Sequence, residues 1–278
     1  MEYDGYDEIV RAWIQGVYDS RGNDAKRTLK FCYDIEQYAM KKNDPKLLGF
    51  AYYYSAEKFQ ESNPYSVTMY QDNNEEIVRQ RNKKEIEKLM PLLHMEKEAK
   101  VLDVACGIGR WADALPEDIK EYCGMDFSEE LVAIANKRNH RNRFFYCVGG
   151  ANEIAAVLKK NGKGLYNRIL IVGILMYLND VDMADSLRQI EKVCETKSVI
   201  CIREPIAIEE RLTLKDFFSE ELNDYYNAIY RTRDELMVSI NEMFLNKGFR
   251  IKEEGFLFDD DALNNRKETA QYYYILER

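Results

Sequence analysis

The stretch Val101-Leu-Asp-Val-Ala-Cys-Gly-Ile-Gly-Arg-Trp111 decides the fold. Its first residues are apolar apart from Asp103 and read as a strand; Gly107 and Gly109 make a tight loop, and a helix is expected from Trp111. Glycines let the backbone turn sharply and let a ligand approach it closely. The N-terminus of the helix that follows adds a field favourable to a carboxylate or phosphate. The next apolar run ends in Asp126, seventeen positions beyond Gly109. An acidic side chain there can accept hydrogen bonds from both hydroxyls of a ribose. Strand, glycine loop, helix and acid-tipped second strand together point to a nucleoside-bearing cofactor. The hexapeptide from Gly107 to Ala112 also satisfies the dinucleotide pattern G-x-G-x-x-A. Three features weigh against a dinucleotide: Asp103 inside the first strand, the hundred residues that precede the motif, and an antiparallel close to the chain.

Outward from this motif, short apolar strands alternate with helical stretches. The strands are KVLDVA (100–105), EYCGMD (121–126), RFFYCV (143–148), NRILIVG (167–173) and SVICIR (198–203). Helical stretches lie near 111–115, 128–137, 152–160 and 181–194. Such alternation implies a parallel sheet with helical crossovers, and continuously apolar strands imply that both faces are covered. Thr232-Arg-Asp-Glu235 is a capping box that starts a helix running to about Asn246, and Gly248 stops it. FRIKEEGFLF (249–258) and QYYYILER (271–278) then follow without a helix between them, so they close the sheet as an antiparallel pair. The expectation is an α/β domain with a mostly parallel seven-stranded sheet whose last strand is antiparallel.

Residues 1–62 are rich in tyrosine and read as three helical segments near 7–20, 24–42 and 45–61, an N-terminal helical cap. DPKLLGFAYYYSAE resembles the start of a tetratricopeptide repeat, but one and a half units are too few to bury a solenoid core. These helices are expected to pack on the main domain or to join two copies as a homodimer. The linker 63–75 leads to an amphipathic helix over 75–93 with Ile77, Ile86, Leu89 and Met90 on its apolar side, limited by Pro91. The catalytic domain is thus expected over 63–278, with an insertion at 206–231 folded as a lid over the acceptor.

The 278 residues carry 40 Lys and Arg against 49 Asp and Glu, a net charge of −9. That balance disfavours nucleic acid and anionic membranes as partners. No run of 18 apolar residues occurs and the N-terminus is acidic, so neither a membrane span nor a signal peptide is expected. The six cysteines are scattered without a C-x-x-C pair, as buried thiols in a reducing cytoplasm would be. No metal site is expected.

VLDVACGIGRWADAL, YCGMDFSEEL and YNRILIVGILMYLND resemble successive motifs of the class I S-adenosylmethionine-dependent methyltransferases, over about residues 76–278. The resemblance implies a Rossmann-like doubly wound sheet and S-adenosylmethionine as cofactor. By position, Asp103 would orient the cofactor's amino group, and Ala105, Gly107 and Gly109 would underlie its methionine part. Asp126 would hold the ribose hydroxyls and Phe127 would lie against the adenine. Gly150, Ala151 and Asn152 would line the adenine edge, and Gly173 and Ile174 would face the sulfonium. The family usually has glycine where Ala105 stands, often an acid where Gly150 stands, and an aromatic–aspartate pair where Tyr166-Asn167 stands.

Methyl transfer to a hydroxyl or an ammonium releases a proton, which calls for a base. The two histidines, His94 and His140, fall away from the carboxyl ends of the strands, where ligands bind. Glu204 and then Tyr177 are the candidates that remain. Arg203, Tyr226, Tyr230 and Arg231, with Arg266, are candidates for holding an acceptor, since guanidinium forks match phosphate and carboxylate. The expected activity is methylation of an oxygen or nitrogen atom on a small, anionic or sugar-type metabolite. The alternatives are a protein methyltransferase, a non-catalytic cofactor-binding scaffold whose helices recruit a partner, and a nicotinamide-dependent oxidoreductase.

Overall fold

The computed structural model describes residues 74–139, 141–219 and 224–278. The chain divides into two compact units, residues 1–75 with 218–225 and residues 76–217 with 226–278. The sheet and the site belong to the second. The expected N-terminal helices, the linker at 63–73, Cys32, His140 and the side chain of Tyr226 lie outside the described residues.

Strands β1 (Lys100–Val104), β2 (Glu121–Asp126), β3 (Phe144–Val148) and β4 (Tyr166–Val172) match the apolar runs of the sequence to within two residues at either end. The fifth, β5 (Cys194–Ala207), is far longer than the run at 198–203 that announces it. Two further strands, β6 (Leu212–Ser219) and β7 (Asp224–Tyr230), form a separate two-stranded sheet. The chain closes with β8 (Arg250–Phe256) and β9 (Thr269–Glu277). The large sheet has the order β3-β2-β1-β4-β5-β9-β8. Strands β1 to β5 pair in parallel, and β9 runs antiparallel to both β5 and β8.

The helices are α1 (Glu75–Leu89), α2 (Arg110–Ala114), α3 (Glu129–Arg138), α4 (Ile154–Lys160), α5 (Asp180–Lys192) and α6 (Arg233–Met243). Their starts are read locally. Ser128 accepts from the Leu131 N–H and Asn179 from the Asp182 N–H, and Thr232 with Glu235 forms the complete capping box. Helix α1 ends at Leu89, where a single 3₁₀ turn, Met90–Leu93, with Pro91 as its second residue takes over. Its buried side differs from the apolar side expected from sequence: Val78, Arg81, Glu85 and Leu89 are its buried positions, while Ile77, Ile86 and Met90 are half-buried. These four recur at a spacing of three or four, so the inward stripe of this helix contains two charges.

Leu102, Val104, Cys123, Met125, Ile169, Ile171, Ile200 and Ile202 meet Leu187, Ile190, Leu236 and Phe244 of the flanking segments in one core. The extension of β5 is explained by β9, whose register with it runs from Val199↔Glu277 to Ala207↔Thr269. On the other side, β4 stops at Val172↔Arg203. Pro205 lies beyond that point, so its missing N–H is not required by β4. Glu204 and Pro205, beyond the run at 198–203, are therefore inside the strand. The segment expected as a lid insertion from 206 begins as the end of β5 and continues into the β6–β7 ribbon.

Strand order reverses between β1 and β4, because the chain builds β2 and β3 on one side of β1 before returning to the other. The crevice beyond the carboxyl ends of β1 and β4 is the ligand position of an open α/β sheet.

Candidate active site

Three loops meet that crevice. Between β1 and α2 the backbone takes positive φ at Ala105 (59°), Gly107 (54°) and Gly109 (80°). For alanine this left-handed geometry costs roughly 1–2 kcal/mol, so the loop is strained at Ala105. A Cβ at Gly109 would also lie 2.9 Å from the Tyr146 hydroxyl of β3, so a side chain there would force the tyrosine to shift. The Cys106 N–H bonds the Met125 carbonyl at 3.0 Å, which ties the loop to β2.

Asp126 stands at the tip of β2 and is buried. Its Oδ2 accepts the Gly107 N–H at 2.9 Å and its Oδ1 accepts the Ser128 N–H at 2.9 Å. A carboxylate has about four lone-pair sites, so capacity for a diol remains. Burial raises its pKa, while the Ser128, Gly107 and Phe127 amides hold it down. The neighbouring Phe127 ring is 75% exposed, an apolar face held out at the strand tip. After β3, Gly149 N–H bonds the Asp126 carbonyl at 2.8 Å, and the turn through Gly150, Ala151 and Asn152 begins there.

Asp103 is buried in the middle of β1, and its Oδ2 accepts the Tyr122 hydroxyl at 2.8 Å. Burial pushes its pKa up to about 7, against the Tyr122 bond and the Arg110 charge. Asp126 and Glu85 add to the rise.

The third loop follows β4. Gly173 has a φ of 72° and its N–H bonds the Arg203 carbonyl at 2.8 Å. Glu204 is buried beneath this loop. Its Oε1 accepts the N–H groups of Ile174 (2.9 Å) and Leu175 (3.0 Å), and its Oε2 accepts that of Met176 (3.3 Å). Burial raises its pKa to about 7 against those three bonds and the Arg203 charge. The carboxylate expected as a base thus caps the 3₁₀ turn Leu175–Tyr177 from below. Tyr177 on that turn is 48% exposed.

The arginines expected at the acceptor have protein partners. Arg231 is buried; its Nη1 donates to the Leu175 carbonyl (2.9 Å), its Nη2 to the Leu178 carbonyl (2.7 Å) and its Nε to Asp180 (2.9 Å). It clamps the post-β4 loop. Arg203 pairs with Glu85 at 2.7 Å and donates to Gln271 at 3.1 Å. The Arg266 guanidinium stacks 4.9 Å from the Phe217 ring centre. Tyr230 is buried with Ala207 and Ala228 against Met176, Leu212 and Leu214.

Sequence reasoning passed over Glu85, Arg110, Tyr122 and Tyr146. Arg110 lies inside the glycine motif, and Glu85 follows Arg81 and Val78 and precedes Leu89 at helical spacing, which is the signal for it. Tyr122 and Tyr146 are visible only through strand pairing, since Tyr146 of β3 pairs with Gly124 and Tyr122 lies two residues before Gly124 on β2, and both side chains close over that glycine.

His94 lies exposed after the first 3₁₀ turn, beside Lys252, at the opposite end of β1 from the site. The Tyr166-Asn167 pair also sits at that far end: Asn167 accepts the Lys100 N–H and donates to the Glu98 carbonyl. All five described cysteines are buried and free. Among the described residues, no group of three or more His, Cys, Asp or Glu is placed to hold a metal, and no helix is long and apolar enough to cross a membrane.

The family model for a methyltransferase domain matches residues 101–197. A curated relative, demethylmenaquinone methyltransferase of Bacillus licheniformis, is 36% identical over 72 residues, covering 25% of this chain and 31% of that one. Among solved structures, Haemonchus contortus phosphoethanolamine N-methyltransferase 1, in complex with phosphoethanolamine and S-adenosylhomocysteine, is similar with a TM-score of 0.59 at 14% identity, over 84% of this chain and 49% of that one. Synechocystis magnesium protoporphyrin IX methyltransferase with bound cofactor is similar with a TM-score of 0.52 at 12% identity, over 82% and 97%. At these identities the structural likeness is one of fold. This chain spans about a third of the curated relative and half of the Haemonchus protein.

Proposed function

We propose, on the premise that the chain belongs over residues 101–197 to the class I S-adenosylmethionine-dependent methyltransferases, that it transfers a methyl group to an oxygen or nitrogen atom of a small metabolite. The observation that carries the reading is the bracket between Asp126 and the glycine loop, at the sheet's switch point and beneath an exposed Phe127 ring. The residues fit S-adenosylmethionine. A backbone cradle at Gly107–Gly109 suits an amino-acid tail, Asp126 retains acceptor capacity for a diol, and Phe127 offers a face for a purine. Asp103 supplies a negative charge for an ammonium. Gly173 and Ile174 form the floor nearest the acceptor side.

The cofactor supplies a methyl group already activated on sulfur, so alignment and exclusion of water carry much of the rate. Glu204 contributes by holding the amides of Ile174, Leu175 and Met176, which makes it a positioning residue in this reading. Tyr177 is the remaining candidate for moving a proton. Arg203 and Arg231 are engaged by the protein, so a small acceptor would be oriented chiefly by shape and by the aromatic and apolar surface around Tyr177 and Met176, with Tyr230 packed behind Met176.

The test is titration calorimetry with S-adenosylhomocysteine, with NAD as control, followed by methyl transfer to a panel of hydroxyl and amine acceptors. Binding of S-adenosylhomocysteine alone, with turnover on one acceptor class, supports the reading. NAD binding in its place would overturn it. Cofactor binding without turnover on small molecules, with transfer to protein or with a stable partner complex, would move the reading to a protein methyltransferase or a scaffold.

A further inference from the structure

Helix α1 carries a carboxylate into the protein at Glu85, which is fully buried. Its Oε1 lies 2.6 Å from Arg110 Nη2 and its Oε2 lies 2.7 Å from Arg203 Nη2. Arg110 is the first residue of α2, directly after the glycine loop, and also donates to Asn82 of α1 at 2.8 Å. Arg203 is the β5 residue whose carbonyl receives the Gly173 N–H and whose Nη1 lies 3.4 Å from where a Gly173 side chain would begin. One carboxylate therefore touches both walls of the crevice: the cofactor loop on one side and the post-β4 loop on the other.

We infer that Glu85 is a positioning residue that sets the glycine loop and the β4 exit in register and offsets the pull of Arg110 on Asp103. The inference rests on the cofactor reading above, because Asp103 matters only if it meets the cofactor. A fully buried carboxylate is costly unless charged partners hold it, and here both partners lead directly to site loops. The titratable and charged groups that act on Asp103 are Glu85 of α1, Arg110 of α2, Tyr122 and Asp126 of β2, Tyr146 of β3, Cys106 of the loop and Cys201 of β5. Glu85 disfavours a negative Asp103 and Arg110 favours it. Neutralising Glu85 removes the first effect and leaves Arg110 to Asp103.

The experiment compares S-adenosylhomocysteine affinity from pH 5 to 9 for wild type, Glu85→Gln and the double variant Glu85→Gln/Arg203→Gln, with apo thermal unfolding alongside. The double variant removes one charge of each sign and keeps the test available if the single variant fails to fold. The expected result is about tenfold weaker binding at pH 8, with the acid limb of the affinity profile displaced to lower pH. Loss of thermal stability with an unmoved acid limb would make Glu85 merely structural and overturn the inference. Unchanged affinity and limb would overturn it equally. Wild-type protein that binds no S-adenosylhomocysteine at any pH removes the cofactor reading and this inference with it; wild-type binding with unaltered variants removes the inference alone.

Discussion

The carboxylate of Asp126 accepts the backbone N–H of Gly107 at 2.9 Å, so the tip of the second strand is tied to the loop that leaves the first. The bond makes one side chain serve two purposes, shaping the loop and presenting oxygen to the crevice. Asp126→Ala should weaken S-adenosylhomocysteine binding by roughly 1–3 kcal/mol, the scale of hydrogen bonds to a charged group. Titration calorimetry reads this directly, and unchanged affinity would remove Asp126 from the site.

Ala105 holds a left-handed backbone at φ 59°. Ala105→Gly relieves that strain but gives the unfolded chain more freedom, and the strain is the larger of the two. The variant should gain up to about 1 kcal/mol in chemical denaturation. A loss of stability would mean that the alanine methyl packs more tightly than the strain costs.

Asp103 and Glu204 share a sign of pH dependence. Both have folded pKa values raised to about 7 by burial, above the ~4 of the unfolded chain. A raised carboxyl binds its proton more tightly when folded, so the stability it contributes is complete below the unfolded pKa and is lost as pH rises to the folded value. The apo protein should therefore weaken between pH 4 and 7. Asp103→Asn should show about half that decline, be more stable than wild type at pH 8 and bind cofactor less tightly. Denaturation midpoints across the window decide it; parallel curves for variant and wild type would refute the assignment.

Arg231 bonds two carbonyls of the post-β4 loop and Asp180. Arg231→Lys keeps the charge and loses the fork, so stability should fall by about 1–3 kcal/mol through unpaired buried acceptors. Activity on neutral and anionic acceptors should fall by the same factor. A selective loss on anionic acceptors would return Arg231 to the acceptor itself.

Glu204→Gln keeps an oxygen for Ile174 and Leu175 but turns an amide towards the Met176 N–H. Turnover should fall more than cofactor affinity, because the loop it disturbs lies on the acceptor side. Equal loss of both, measured by steady-state kinetics and calorimetry, would show that the whole crevice depends on the cap.

Local chemistry made the core of this protein legible. The run from Val101 to Trp111 states a strand, a turn and a helix within eleven residues, and Thr232 with Glu235 announces α6, because both depend on neighbours three or four positions away. The apolar runs also located six of the seven sheet strands to within two residues at either end, since strands covered on both faces leave continuous hydrophobic text. What the sequence could not decide was how far β5 extends, which β9 sets from seventy residues downstream, or which partners the charged residues would choose. The sequence did not show that Glu204 would accept three backbone N–H groups, or that Arg203 and Arg231 would reach carboxylate and carbonyl partners. Burying a charge is permitted only where distant groups converge to satisfy it. That convergence is a property of tertiary packing, and it is why the glycine loop could be read from the order of residues while the partners of the buried charges around the post-β4 loop depended on the fold.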